Sequence, residues 1–128
     1  MSFIFCNPNP ARKSVIDCTI RMICVLEELS WREAFVAVAD ICLNEFDMPS
    51  SDKMWGMFLS RRGYTKHMLS DRCPDCYTVR DFCRDYSRGR YCVKTPSHVI
   101  AVINGDYYDT FDTGDEIPIY YWRKEKLV

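Results

Sequence analysis

Ser97-His-Val-Ile-Ala-Val-Ile-Asn-Gly-Asp-Tyr-Tyr-Asp-Thr-Phe-Asp112 is the stretch that decides the architecture. An apolar, β-branched run ends at Asn104-Gly105, and an aromatic run leads away from it. Asn-Gly between two such runs signals a hairpin, because both central positions of the matching turn need positive φ. With a two-residue turn, Ile103 pairs with Asp106 and Ile100 with Asp109. That register sets Asp109 diagonally across from His98 on one face of the hairpin. A one-residue bulge at the turn would favour Asp112 in its place.

Working outward, Arg90-Tyr-Cys-Val93 reads as a short strand before the hairpin, and Ile117-Pro-Ile-Tyr-Tyr-Trp122 as a last strand after it. Pro118 cannot donate to a ladder, which puts that last strand at an edge or places Pro118 at its start. Upstream the apolar period turns helical. Asp17 is positioned to cap a helix through Cys18-Thr-Ile-Arg-Met-Ile-Cys-Val-Leu-Glu27, with Ile20, Ile23 and Cys24 on its apolar stripe. Ser30 and Glu33 have capping-box spacing and open a second helix through Phe35, Val38, Ala39, Cys42 and Phe46. Pro49-Ser-Ser-Asp leads into a third helix, Lys53 to about Arg61, ended by Gly63. A fourth and shorter one follows Thr78 and stops before Gly89. The class expected is α+β, N-terminal helices packed on a C-terminal antiparallel sheet.

The 128 residues make one domain, 1–128, with 48% hydrophobic residues. A chain of that length buries roughly two thirds of the surface its unfolded form exposes, enough to fold without staples. Seventeen basic against eighteen acidic side chains leave a net charge of −1. That balance argues against nucleic acid as a partner, since phosphate contacts need a basic excess. No stretch reaches the ~18–20 apolar residues of a membrane span. The opening Met1-Ser-Phe-Ile-Phe-Cys6 lacks the basic region of a signal peptide, so a cytoplasmic location with reduced thiols is expected.

Eight cysteines then need an account. Cys24, Cys42, Cys83 and Cys92 sit in apolar surroundings and read as small buried hydrophobes. Cys73-Pro-Asp-Cys76 has the spacing of two zinc ligands, and Cys83, Cys92 or His67 would have to complete the set. A second pair of that spacing is missing, so a turn is favoured, with no metal and no cofactor.

Cys18 is different. It follows Asp17 in the first turn of a helix, where unpaired N–H groups and the helix dipole stabilise a thiolate. His98 leads a buried strand and needs a partner there. Cysteine on an early helix, histidine on a late strand and carboxylate on the next strand have the order nucleophile, base, orienter.

Asn7-Pro-Asn-Pro10, Asp17-Cys-Thr-Ile-Arg21, Ser97 to Gly105 and Tyr108-Asp-Thr-Phe-Asp112 together resemble small papain-like cysteine peptidase domains, in particular those of gut bacteria and their phages. The resemblance spans almost the whole chain. It implies a papain-like single domain with Cys18 as nucleophile, His98 as general base and acid, and Asp109 as orienter. It further implies a hydrolase or transferase acting on a peptide, isopeptide or other amide bond, with a protein or peptide as substrate. The family's oxyanion donor is a Gln or Asn some residues before the cysteine; the chain has no Gln, which leaves Asn7 or Asn9 for that role. Domains of this kind also occur as catalytically silent binding proteins of phages and mobile elements, whose partner is a protein target.

Overall fold

The structure is a computed structural model that describes residues 2–69 and 77–125. In chain order the elements are β1 (Phe3–Phe5), α1 (Cys18–Glu27), α2 (Trp31–Glu45), α3 (Asp52–Arg61), β2 (Tyr64–Met68), α4 (Val79–Asp85), β3 (Arg90–Thr95), β4 (His98–Ile103), β5 (Asp106–Asp109) and β6 (Tyr120–Lys124). The strands form one sheet in the order β1-β5-β4-β3-β6-β2. The class is α+β.

The sheet corrects the expectation of an antiparallel one, because β1 runs parallel to β5, with Phe3 opposite Tyr107 and Phe5 opposite Asp109. Every other pairing is antiparallel. Neither β1 nor β2 announces itself in the sequence. The first has three residues; the second, Tyr-Thr-Lys-His-Met, is mostly polar because it is an edge strand with four of its five residues exposed or half-buried. The last strand also differs from expectation. It begins at Tyr120, beyond Pro118, and lies inside the sheet between β3 and β2.

Strand alternation divides the core in two. Cys92, Val99 and Ala101 face α1, α2 and α3, against Ile23, Leu26, Val38, Trp55 and Leu59. Tyr91, Val93, Ile100 and Val102 face the other way, against Val79, Phe82 and Cys83 of α4. Among the described residues, helices therefore cover both faces, three on one and one on the other. The two cysteines named to complete a zinc set, Cys83 and Cys92, consequently lie on opposite sides of the sheet. His67 stacks on Tyr121 and bonds Thr65 at 2.8 Å, so these three do not assemble into a ligand set. Cys73 and Cys76 lie outside the described residues.

Local signals explain most boundaries. Ser30 and Glu33 form the capping box, each side chain bonded to the other's backbone N–H. Thr78 and Asp81 form a second one at α4. Asn104 and Gly105 have φ of 50° and 82°, as the turn requires. Of the apolar residues that the second helix was expected to run through, Phe35 and Phe46 are exposed. The stripe is Ala34, Val38, Ile41 and Cys42; Phe35 stands one position round the helix from Ala34. Phe46 takes the left-handed C-cap conformation, which turns its side chain out to solvent at 95% exposure. Truncating Ile23 to Ala, in the closed layer under the sheet, is expected to cost about 2–5 kcal/mol in a urea unfolding titration, whereas Phe46→Ala should leave the midpoint nearly unchanged.

Candidate active site

Three of the side chains singled out by the sequence meet at one end of the sheet. Cys18 is the first residue of α1, His98 the first of β4 and Asp109 the last of β5. The β4–β5 ladder holds the unbulged register, Ile103 to Asp106, Val102 to Tyr107 and Ala101 to Tyr108. It ends one step short of the expected Ile100–Asp109 pair, where β5 stays paired with β1 and carries Asp109 towards His98. His98 Nε2 donates to Asp109 Oδ2 at 2.5 Å, which leaves Nδ1 as the ring nitrogen to meet the Cys18 sulfur.

Asp109 is buried, and its second oxygen is held as firmly as the first. Oδ1 accepts from the Thr110 backbone N–H at 2.8 Å and from Arg21 Nη2 at 3.2 Å. Arg21, one turn into α1, bonds Asp17 through its other arm. Asp17 in turn accepts from the Trp31 indole N–H at 2.9 Å. Asp17 is thus not the side-chain cap the sequence suggests: it makes no capping bond. Its carboxylate is drawn away by Arg21 and Trp31, and the first-turn N–H groups of α1 are left without a side-chain acceptor. The Asp17–Arg21 spacing of four residues was a visible ion-pair signal. Nothing local in the sequence pointed Arg21 at Asp109.

The electrostatics follow from this packing. Burial is the largest single influence on Cys18 and opposes its ionisation. Hydrogen bonding to His98, the imidazolium charge, the Val99 backbone N–H and Arg21 together outweigh it and hold the thiol below its ordinary range. For His98, burial again works against the charged form, but Asp109 and Cys18 push the imidazole up to about 9. Both shifts favour the same state, thiolate beside imidazolium. The other five described cysteines, Cys6, Cys24, Cys42, Cys83 and Cys92, are all pushed upward, chiefly by burial.

The pair opens on a cleft of about 240 Å³ whose walls include Ser14, Val15, Ile16, Ser97, Thr110 and Phe111. The Phe111 ring lies 5.5 Å from the imidazole, and Ile16 is fully exposed at the rim. Asn7 and Asn9 do not line it. Asn7 donates weakly to the Lys13 carbonyl, and Asn9 accepts from the Ala11 backbone, so both build the turn before the cleft. Asp112 is also elsewhere: it accepts from the Tyr107 hydroxyl at 2.7 Å, from Gly114 N–H and from Arg80. Without the bulge it never faces His98. Among the described residues no group of three or more His, Cys, Asp or Glu side chains is arranged to hold a metal ion, and no helix is long and apolar enough to cross a membrane.

Compared with protein-family models, curated proteins and solved structures, the chain matches none.

The site's geometry makes Cys18 the first to react among the described cysteines. Iodoacetamide at neutral pH should label it ahead of the buried thiols. Its rate–pH curve should have a midpoint below the ordinary thiol value of about 8.5. His98→Ala removes the main opposing influence and leaves burial in charge, so the midpoint should move above that value. A midpoint unmoved by His98→Ala would show that the imidazole does not set the thiolate.

Proposed function

We propose that the protein is a cysteine-dependent hydrolase or transferase of the papain-like type, acting on a peptide, isopeptide or other amide bond. The observation that carries the proposal is the ordered contact from Cys18 through His98 to Asp109, with the sulfur at a helix N-terminus and facing a cleft. The Cys18 thiolate attacks the carbonyl carbon, and the carbonyl oxygen takes the negative charge. The backbone N–H of Cys18 and its first-turn neighbours are donors of the kind that stabilise such an oxyanion. His98, protonated at Nδ1, gives that proton to the departing nitrogen as the carbon–nitrogen bond breaks, which leaves a thioester on Cys18 and a neutral imidazole. Water, or an acceptor amine, then attacks the thioester while His98 takes its proton, and the thiolate–imidazolium pair is restored. Asp109 keeps the ring oriented and stabilises its charged form through both halves of the cycle.

An alternative, a catalytically silent binding protein on the same scaffold, draws support from the cleft's lack of an Asn or Gln side chain to help hold an oxyanion. An electrophilic acyl probe separates the two. Cys18→Ala should abolish covalent capture and turnover, and His98→Ala should slow turnover by about 10²–10⁴-fold. A biological effect that survives Cys18→Ala intact would favour the silent protein.

The pH profile carries the signs. Turnover should rise with pH as Cys18 ionises, below the ordinary thiol range, and fall as His98 loses its proton near 9. Asp109→Asn removes the charge that raises the imidazole, so the alkaline limb should move to lower pH. An alkaline limb that stays in place would remove Asp109 from the mechanism.

A further inference from the structure

A second hollow, of about 320 Å³, lies beside the cleft. Its floor is apolar: Trp31, Phe35 and Val36 from the first turns of α2, facing Pro10 from the preceding loop. The Trp31 and Phe35 rings stack at 5.2 Å, and both Phe35 and Val36 are exposed. Lys13 and Arg32 stand on the rim, and Lys13 also lines the cleft at Cys18. The two hollows are thus joined across residues 13–17, a span of at most about 18 Å of extended backbone. They are also fixed to each other, because the Trp31 indole is bonded to Asp17, the residue before the nucleophile.

The lining of this hollow carries two cations, Lys13 and Arg32, and no acid. Arg12, Lys13 and Arg32 are exposed, and none forms an ion pair among the described residues. The acids nearest in sequence, Asp17, Glu28 and Glu33, do not line it; Asp17 is bonded to Arg21 and Trp31, and Glu33 to the Ser30 backbone. Apolar floor and cationic rim together call for an occupant that is apolar at its tip and anionic beside it.

Resting on the hydrolase assignment, we infer that Cys18 acts on a polypeptide carrying a bulky apolar side chain, aromatic for preference, next to an acidic residue, with the apolar group seated on Trp31 and Phe35 and the acid facing Arg32 and Lys13. Covering the exposed Phe35 and the open side of the half-buried Trp31 removes apolar area from water. The neighbouring carboxylate supplies selectivity by charge complementarity.

The test uses the full chain and short peptides ending in a thiol-reactive ketone. A Phe-Glu pair is walked through successive positions of an otherwise Gly/Ala peptide, with Phe-Lys and Gly-Gly series beside it. Every rate is divided by the same protein's iodoacetamide rate at Cys18. At one position Phe-Glu should react at least tenfold faster than Gly-Gly, and faster than Phe-Lys. Arg32→Glu should invert the Glu-over-Lys preference, and Phe35→Ser should erase the Phe advantage. Brisk iodoacetamide labelling of Cys18 with no peptide preference at any position overturns the subsite alone. Iodoacetamide labelling that does not favour Cys18 overturns the hydrolase assignment and the subsite with it.

Discussion

Asp109 is a buried carboxylate with two cationic neighbours, and the arrangement of the molecule turns on how it is neutralised. A charge out of water is tolerable only when its lone pairs are filled by donors and its charge is met. Here His98, Arg21 and the Thr110 amide do this together. Arg21 has a second negative neighbour in Asp17, and His98 has a second acidic partner in Cys18, whose thiol is held below its ordinary range. The result is a chain of alternating sign, Asp17, Arg21, Asp109, His98, Cys18, that runs from α1 to the hairpin and back to α1. Each member makes the burial of the next cheaper. Removing one strands its neighbours, so the network acts as a unit rather than as a sum of pairs.

The fold serves this chain of charges. The α1 helix supplies three of its five members because residues 17, 18 and 21 share one helical turn. The hairpin supplies the other two at its open end, where side chains on adjacent strands can meet diagonally. β1 then closes the site from the far side: it pairs with β5 up to Phe5–Asp109, and the Cys6 N–H donates to the Asp109 carbonyl at 2.8 Å. The backbone of Asp109 is thus bonded to one strand while its side chain is bonded to a helix and another strand.

Much of this was legible in the sequence, and the physical reason is locality. The Asn104-Gly105 turn located the hairpin and left two registers open, and the structure takes the unbulged one, which sets Asp109 rather than Asp112 near His98. The capping box at Ser30 and the apolar stripe of α1 are likewise local patterns. What was not legible depends on distant pairing. Three residues at 3–5 carry too little pattern to declare a strand, and a polar edge strand at 64–68 looks like a loop. Asp17 has the identity and position of a cap, and only the approach of Arg21 and Trp31 reassigns its carboxylate. Phe35 and Phe46 are apolar at nearly helical spacing, yet one faces solvent by its angle and the other by its backbone conformation. Asn7 and Asn9 were assigned by analogy, and the loop they build shows a structural use for both.

The separation of the parts along the chain has a consequence for synthesis. Arg21 and Asp109 are 88 residues apart, and His98 lies eighty positions beyond the cysteine it activates. Chains are made from the N-terminus, and domains fold as their later segments emerge. While the first hundred residues leave the ribosome, Cys18 has neither its imidazolium nor the carboxylate that sustains it. Its sulfur is then an ordinary protonated thiol, slow towards amides and electrophiles alike. The surroundings that lower the Cys18 thiol are complete only with the last strands, so on the proposed reading the sulfur is activated only when the fold closes.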